Sequence, residues 1–251
     1  MNLISKEDIF NNKIVNIFTD ASSFLQENGK YITCSSVMVY VGDQLIRSEK
    51  LVFRDSTISI AELFAVYRGI VLGYEVSKLF NIEISFLFSD SAYSICGLTE
   101  WLESWVRNSS NGIMMNTSNK EVANQKIFHE AISFIVKKKY NIRLVKIRGH
   151  VDNSDDMIKA IRYINDKNYV FRHVKVDKNT VEEISKRNNL VDADAKKAAA
   201  YCFRLDRKSI PQASLIFPIH FFETTWEVFE EYCYYIKLNI GVKKENGCIY
   251  Y

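Results

Sequence analysis

Apolar residues recur along this chain with two different periods, and the period changes several times between residues 14 and 203. Three early segments rich in β-branched and aromatic residues predict neighbouring strands, at residues 14–20, 31–41 and 45–53. The apolar residues that follow recur at helical spacing and predict a helix over residues 60–79. That spacing is carried by Leu63, Val66, Tyr67, Ile70 and Tyr74.

Strand and helix patterns then alternate along the chain. Strands are predicted at residues 82–89 and 141–148, and helices at residues 91–105, 121–138 and 181–203. The segment 180–183 reads Thr-Val-Glu-Glu and predicts a capping box at the head of the last of these helices. Three neighbouring strands followed by strand–helix crossovers predict an α/β fold, in which a mixed sheet carries helices on both faces.

Four acidic residues lie in local settings that suit chemistry. Asp20 and Asp90 each follow an apolar strand, whereas Glu62 and Asp192 lie in predicted helices. Taken singly, each has an ordinary explanation, because an acid after a strand is commonly a turn former and an acid on a helix is commonly exposed. Converging carboxylates, however, would repel one another unless divalent cations lay between them. Such a group predicts a hard-metal site with oxygen ligands, for which Mg²⁺ is the first candidate.

These acids and one Gly-His pair resemble, in order and setting, type I ribonuclease H, which cuts the RNA strand of an RNA–DNA hybrid. The resemblance covers about residues 13–203 and is interrupted by one insertion. It is carried by Thr19-Asp20-Ala21-Ser22, Glu62-Leu63-Phe64-Ala65, Asp90-Ser91-Ala92-Tyr93, Gly149-His150, and Asn188 with Asp192 and Ala195. The resemblance implies the ribonuclease H-like fold, a five-stranded mixed sheet flanked by helices, and an endonuclease acting on that hybrid.

The resemblance also implies a division of roles. Asp20 would bridge two Mg²⁺ ions, for which Mn²⁺ could substitute. Glu62 and Asp90 would complete one metal site, and Asp192 would complete the other. His150 would assist proton transfer or product release, and the products would carry 5′-phosphate and 3′-hydroxyl ends. Asp194 is a rival for the fourth acid, although Asp192 keeps the four-residue spacing from Asn188.

Substrate contacts are implied at positions that match the family's nucleic-acid-binding residues. They are Thr57, Ser59, Ser91, Trp101, Trp105 and Asn124. Ile58 and Ser59 stand where many members carry asparagines that read the RNA 2′-hydroxyl, which is a departure from the pattern. Trp101 and Trp105 lie four residues apart on one predicted helix face, where ordinary core packing is the alternative explanation.

Domain organisation departs from the family in two places. Residues 1–204 are predicted to form the ribonuclease H-like domain, with an insertion at about residues 151–187 where the family has a short loop. The insertion is predicted to hold a short helix at residues 155–165 and a strand at residues 169–176. Residues 205–251 form an aromatic-rich extension, which we expect to pack on the main domain or, alternatively, to bind a protein partner.

Composition fits a globular enzyme of 251 residues, of which 47% are hydrophobic, with a net charge of only +3. Residues 101–150 nevertheless hold nine Lys or Arg against three acids, which predicts a phosphate-facing surface or a solvated helix face. Five scattered cysteines favour a reducing compartment. Neither a signal peptide nor a membrane span is predicted, so we expect a cytoplasmic monomer.

Two other functions remain open from the sequence. One is a nuclease of the same fold that acts on DNA, in the manner of a resolvase or a transposase. The other is a non-catalytic subunit that binds nucleic acid. The Gly149-His150 pair, together with Trp101 and Trp105, favours ribonuclease H over the first. The presence of all four acids argues against the second.

Overall fold

A five-stranded mixed sheet forms the centre of the computed structural model. The structure describes residues 3–26, 29–204, 207–213, 223–239, 241–245 and 248–250. The strands are β1 (Leu3–Ile4), β2 (Ile14–Leu25), β3 (Tyr31–Val41), β4 (Gln44–Arg54), β5 (Ile84–Ser89), β6 (Ile142–Lys146), β7 (Lys175–Val176), β8 (Lys243–Glu245) and β9 (Cys248–Tyr250). The helices are α1 (Lys6–Ile9), α2 (Ile58–Phe80), α3 (Ala92–Leu98), α4 (Leu102–Arg107), α5 (Gln125–Lys138), α6 (Ser154–Lys167), α7 (Lys178–Phe203) and α8 (Trp226–Ile236).

The order of strands in the central sheet is β4-β3-β2-β5-β6. The first three strands pair antiparallel as a meander, and β5 and β6 join parallel through helical crossovers. This arrangement confirms the α/β fold class and the five-stranded mixed sheet predicted from the sequence. In the antiparallel meander and in the parallel part of the sheet, the strands and helices follow one another along the chain in the order that the periodicity predicts.

Helices cover both faces of the sheet. Because successive side chains of a strand point to opposite faces, β2 contributes to two separate apolar clusters. Val15 and Ile17 pack with the residues of α2 and α5, while Ile14 and Phe18 pack with the residues of α7 on the opposite face. The sheet is therefore buried on both sides, and functional side chains reach solvent only at its ends.

The predicted helix over residues 91–105 was wrong as a single element, because the chain forms two short helices, α3 and α4. Backbone N–H groups of Thr99 and Trp101 both donate to the carbonyl of Cys96, which closes one irregular turn between them. The Thr99 hydroxyl donates to the carbonyl of Ile95 and stabilises this turn. A polar side chain that bonds to its own backbone competes with the helical ladder, and apolar spacing does not reveal this competition.

The strand predicted at residues 169–176 was largely wrong. Only Lys175–Val176 is a strand, and Tyr169–Phe171 is a 3₁₀ turn. The Asn168 side chain accepts from the amide of Lys146 and donates to its carbonyl, at 2.8 and 2.9 Å. A single amide side chain thus pairs with the outer edge of β6 in place of a strand, which protects an otherwise open edge.

The capping box predicted at residues 180–183 was also wrong. The last long helix begins at Lys178, and Asp177 caps it by accepting from the amide of Thr180 at 2.7 Å. Glu183 instead binds Arg187 at 2.7 Å and Lys6 at 3.2 Å. The helix therefore starts three residues before the predicted residue 181, and its first turns are tied to the N-terminal segment.

Segments from both ends of the chain pack beside the insertion. Strand β1 pairs in parallel with β7, and the amide of Val242 donates to the carbonyl of Val170 at 2.7 Å. Ile4, Val170 and Val242 are all buried in the apolar cluster beneath α7. The insertion is consequently held by the cluster that supports α7, and it is not a free appendage.

The C-terminal helix α8 packs on the main domain. Phe229, Tyr232 and Ile236 belong to the larger apolar cluster, and the Tyr232 hydroxyl donates to the carbonyl of Leu98 at 2.8 Å. We propose on this basis that the described part of the extension belongs to the domain formed by residues 1–204. Of the extension's aromatic residues, Phe217, Phe221 and Phe222 lie outside the described residues. Within the part of the chain that is described, no helix has the length and apolar character to cross a bilayer.

His129 joins α5 to the residues just before α8, and its burial leads us to predict that stability depends on pH. One ring nitrogen lies at hydrogen-bond distance from the Thr224 hydroxyl, and burial lowers the pKa of His129 to about 4. Between about pH 6.5 and pH 4 the unfolded chain binds a proton that the folded chain does not. The free energy of unfolding should therefore fall with decreasing pH, by up to about 1.4 kcal/mol per pH unit from this residue.

Chemical denaturation of the wild type and of His129→Gln across pH 4–7 measures this effect. The difference in the free energy of unfolding between the two proteins should change through that window and level off above pH 7. Parallel curves for the two proteins would show that His129 binds protons equally in the folded and unfolded states.

Candidate active site

Two of the four acids are brought together by the register of the parallel strands. Thr19 of β2 pairs with Ser89 of β5, so the following residues, Asp20 and Asp90, lie side by side where the two strands diverge. Adjacent strands lie about 4.8 Å apart, which fixes these carboxyl groups as neighbours. Asp20 is almost fully buried, and one of its oxygens accepts from the amide of Ala21 at 2.7 Å.

Glu62 reaches the same place from the first turns of α2. The Ser91 hydroxyl donates to Glu62 Oε2 at 2.8 Å, and the Ser91 oxygen also accepts from the amide of Ser94 as the cap of α3. Ser91 is only 4% exposed, so in this structure it holds Glu62 in place instead of facing solvent. We therefore regard Ser91, expected as a substrate contact, as a residue that positions Glu62.

Asp192 approaches from α7, on the other face of the sheet. Lys196, one turn further along the helix, binds Asp192 Oδ2 at 2.7 Å. Asn188, one turn before it, is buried, and its side-chain amide lowers the pKa of Asp90 against the effect of burial. The four-residue spacing of Asn188 and Asp192 thus places an amide and a carboxylate on one side of α7, both directed toward the end of β5.

The four carboxyl groups act on one another electrostatically. Burial, followed by the charges of Asp90, Asp192 and Glu62, raises the pKa of Asp20 to about 8. Burial also raises the pKa values of Glu62 and Asp90, because a charged carboxylate loses its hydration there. The four acids that the motifs single out therefore lie close enough in the folded chain to affect one another.

The donor set fits a hard divalent cation. All four side chains present oxygen, the ligand atom that Mg²⁺ and Mn²⁺ prefer. Burial, and after it the charge of the neighbouring acids, raises the pKa of Asp20, and a cation would offset both effects. Among the described residues, no group of three or more His, Cys, Asp or Glu side chains lies close enough to hold a metal ion by itself. A cation here would therefore need further oxygen ligands, from water or from a phosphate.

The loop after β6 lies against Asp90. Gly149 approaches so closely that a Cβ atom added to it would lie 2.1 Å from Asp90 Oδ2. His150 follows in the left-handed region with φ of 51° and is exposed, and its charge lowers the pKa of Asp90 against the effect of burial. Sequence reasoning singled out His150 but missed the contact of Gly149, for which the Gly-His pair was the available signal.

The structure separates the two candidates for the fourth acid. Asp194 accepts from the Ser36 hydroxyl at 3.1 Å and binds Lys50 at 3.0 Å, toward the β3–β4 side of the sheet. Asp192 is the one whose charge raises the pKa values of Asp20 and Asp90. Of the two acids, Asp192 therefore joins the cluster.

The remaining predicted substrate contacts lie at different depths. Thr57 is exposed and caps α2, where its hydroxyl accepts from the amide of Ile60 at 3.4 Å, and Ser59 is half-buried. Asn124 takes a left-handed conformation and donates to the Tyr93 hydroxyl at 3.4 Å. Accordingly Thr57 remains available to a ligand at the protein surface.

The two tryptophans do not share one environment. Trp105 is 8% exposed and packs against Phe128 with ring centroids 5.3 Å apart, whereas Trp101 is 40% exposed. Their rings lie 5.8 Å apart and are tilted by 51°. Trp105 thus belongs to the core, as the packing alternative holds, and Trp101 alone offers an aromatic surface.

The basic segment is less open than its composition indicates. Arg143 is fully buried and donates to Asn141 Oδ1 at 2.6 Å and to the carbonyl of Tyr235 at 3.3 Å. Arg107 pairs with Glu103 at 2.6 Å. Arg143 therefore contributes to the junction between β6 and α8, and it does not add to the exposed positive charge of this segment.

Comparison with known proteins gives one family and several distant structures. The family model described as RNase H matches residues 12–200. No curated protein matches. A foamy viral protease-reverse transcriptase bound to an RNA/DNA hybrid is similar at 16% identity and a TM-score of 0.46, over 59% of this chain and 19% of that chain. This chain therefore corresponds to about a fifth of that viral protein.

Two smaller proteins are similar along most of their own length. LC9-RNase H1, a type 1 RNase H with the type 2 active-site motif, is 12% identical with a TM-score of 0.45, over 86% of this chain and 96% of that chain. RNase H1 of the halophilic archaeon Halobacterium salinarum is 14% identical with a TM-score of 0.31, over 53% of this chain and 86% of that chain.

The close approach of Gly149 to Asp90 predicts the effect of one added methyl group. Gly149→Ala should lower the free energy of unfolding by about 1–3 kcal/mol, since the new Cβ must displace the Asp90 carboxyl group. The φ angle of Gly149 is not positive, so the cost should come from this contact and not from backbone strain.

A double-mutant cycle with Asp90→Ala measures the contact. In the Asp90→Ala background, Gly149→Ala should cost less than about 0.5 kcal/mol, because the clashing atoms are absent. An equal cost in both backgrounds would show that Gly149 is required for some other reason.

Proposed function

The chain belongs to the RNase H family, the ribonucleases H, and on that premise we propose that it cleaves the RNA strand of RNA–DNA hybrids by metal-dependent hydrolysis, leaving 5′-phosphate and 3′-hydroxyl ends. The family match confirms the resemblance drawn from the motifs, and the family is generally dependent on divalent metals. The observation that carries the finer proposal is the convergence of four carboxyl groups from two strand ends and two helices, where burial, followed by the charges of the other three acids, raises the pKa of Asp20 to about 8.

Asp20, Glu62, Asp90 and Asp192 would hold two Mg²⁺ ions in this proposal, and Mn²⁺ could replace them. When bound, the cations would supply activation of water and stabilisation of charge on the attacking and leaving oxygens. The chain's own contribution is rigidity. The sheet register fixes Asp20 and Asp90, Ser91 fixes Glu62, and Asn188 orients Asp90. Fixed carboxylates need little reorganisation during the reaction, which favours catalysis.

His150 is proposed to move protons at the edge of this cluster. It is exposed, and its charge acts on Asp90, so it lies near the carboxylates and in contact with water. A histidine in that position can accept a proton from water or return one to the leaving oxygen. Gly149 supports this role because it allows the loop to approach Asp90 closely.

The surface beside the cluster would bind the nucleic acid. Thr57 offers a hydroxyl to a phosphate, Trp101 offers an exposed ring, and Ser59 and Asn124 lie within reach of solvent. Lys120 and Lys126 are exposed nearby in sequence and would contribute positive charge. Binding would then depend on backbone phosphates more than on the identity of the bases.

One observation favours a second candidate, a nuclease that acts on DNA. Ile58 is 37% exposed at a position where family members commonly carry an asparagine. An apolar side chain cannot donate to or accept from a 2′-hydroxyl, which is the group that distinguishes RNA from DNA. The neighbouring Ser59 and backbone amides would have to supply that recognition in the hybrid-specific enzyme.

Cleavage of one labelled sequence, prepared as RNA–DNA hybrid, duplex RNA, duplex DNA and single strands, tests the proposal. With Mg²⁺, only the RNA strand of the hybrid should be cut, and mass analysis should find 5′-phosphate ends. Asp20→Asn and Asp90→Asn should each lower kcat by roughly a thousandfold or more, about 4 kcal/mol of transition-state stabilisation. His150→Ala should cost less, about a hundredfold.

Asp152→Asn is the matched control, because it removes an exposed acid two residues after His150 and should leave kcat unchanged. Cutting of duplex DNA would instead support the second candidate, a nuclease that uses the same four acids to act on DNA. Full activity of Asp20→Asn would show that the assigned site is wrong. Absence of cutting on every substrate would support a non-catalytic binding protein.

Thermal unfolding tests the proposed metal site without an activity assay. A cation at ten times its Kd should add about 1.4 kcal/mol to the free energy of unfolding, a rise in Tm of about 3–6 °C. The rise should occur with Mg²⁺ and with Mn²⁺, and it should be lost in Asp90→Asn but kept in Asp152→Asn. An equal rise in both variants would assign the effect to cations bound elsewhere.

A further inference from the structure

We propose that Asp194 is a positioning residue, which fixes the rotation of α7 on the sheet and thereby holds Asp192 beside Asp90. This inference rests on the proposed function, because it concerns the site that Asp192 completes. From the spacing of residues in the sequence alone, Asp194 remained an alternative to Asp192 as the fourth acid. The contacts of Asp194 indicate a structural role that differs from the role proposed for Asp192.

The partners of Asp194 lie in one row across the sheet. Asp20 of β2 pairs with Ser36 of β3, and Ser36 pairs with Lys50 of β4. Paired residues point to the same face, and this face is the one that α7 covers. Asp194 binds Ser36 Oγ at 3.1 Å and Lys50 Nζ at 3.0 Å. The row that begins with Asp20 therefore ends in the two partners of Asp194.

Helix geometry places Asp192 and Asp194 on opposite flanks of α7. Residues two apart are separated by about 200° around a helix, so Asp192 and Asp194 cannot point the same way. Val191 and Ala195 are buried between them against the sheet. Asp192 is directed toward β5 and Asp90, and Asp194 toward β3 and β4. Rotating α7 about its axis would thus move one acid as it moved the other.

Apolar packing alone restrains this part of α7 weakly. After Val191, the buried residues of the helix are the small Ala195 and Ala199. Two alanines bury little area and leave a smooth surface that can turn. The earlier half is held differently, since Arg187 binds Asp43 at 2.7 Å and lies over the ring of Tyr40. In the later half, the bonds of Asp194 to Ser36 and Lys50 restrain the rotation of the helix in a way that the alanines do not.

An exposed ion pair commonly contributes little to stability, which is the competing explanation. Two features set this pair apart. Ser36 is fully buried, so its hydroxyl cannot exchange Asp194 for water without movement of the helix. The pair also joins an outer strand to the helix that carries a catalytic acid. We therefore expect its loss to change the metal site more than it changes Tm.

Asp194→Asn and Lys50→Met test the inference, because each removes the ion pair while keeping side-chain size close. Each should raise the Mg²⁺ concentration for a half-maximal Tm shift by about tenfold, the effect typical of residues that orient a ligand. The Mg²⁺ concentration for half-maximal cleavage should rise in parallel, while KM for the hybrid stays unchanged. Asp166→Asn is the control, as it removes an ion pair of similar length, 2.9 Å, on the insertion.

Charge exchange supplies the rescue. In Lys50→Asp combined with Asp194→Lys, the ion pair is re-formed in reverse. The new lysine can donate to Ser36 Oγ, whereas the Asp194 carboxylate accepts from the Ser36 hydroxyl. The Mg²⁺ requirement of this double variant should return to within about twofold of the wild type. Equal Mg²⁺ requirements for Asp194→Asn and Asp166→Asn would overturn the inference, and so would failure of the exchange to restore the wild-type value.

The two proposals fail in distinguishable ways. If the wild type responds to Mg²⁺ in thermal unfolding but cuts no hybrid, the proposed function is wrong while the Mg²⁺ comparison still decides the role of Asp194. If the wild type shows no Mg²⁺ response, Asp192 has no ion to hold, and the inference on Asp194 is wrong as well.

Discussion

Repulsion among four carboxyl groups is the constraint on which the rest of this structure depends. Burial and the charges of neighbouring acids raise the pKa values of Asp20, Glu62 and Asp90. The chain can hold such a group only on rigid supports. Strand register provides them for Asp20 and Asp90, and the hydrogen bond from the Ser91 hydroxyl provides one for Glu62. The arrangement costs stability in the absence of cations, which is why a cation site is its natural explanation.

The insertion, the N-terminal segment and the C-terminal helix α8, which depart from the family pattern, support this arrangement through contacts away from the four acids. The insertion contributes no acid to the cluster, but its residues Val170 and Val176 enlarge the apolar cluster on which α7 rests. The N-terminal segment pairs with it through β1, and the C-terminal helix α8 seals the opposite face through Tyr232. We interpret these additions as ways of fixing the helices that bring Glu62 and Asp192 to the sheet.

Most elements were predictable because their periods extend over ten or more residues. Strand β3 was predicted to the residue, and α2 to within two residues at its start. The errors fall where one polar side chain replaced a backbone partner. Thr99 broke the helix predicted at residues 91–105, Asn168 took the place of a strand at the edge of β6, and Asp177 started α7 early. Such single bonds leave no periodic signal.

The sequence by itself determined the fold class, and it singled out the four candidate acids, because each lies in a local frame of strand end or helix that spacing records. Only the tertiary structure placed Asp194 against Ser36 and Lys50, the Ser91 hydroxyl against Glu62, and Arg143 in the interior. Those outcomes depend on which side of a helix faces the sheet and on which strands lie adjacent. They are relations between distant residues, and local spacing carries no record of them.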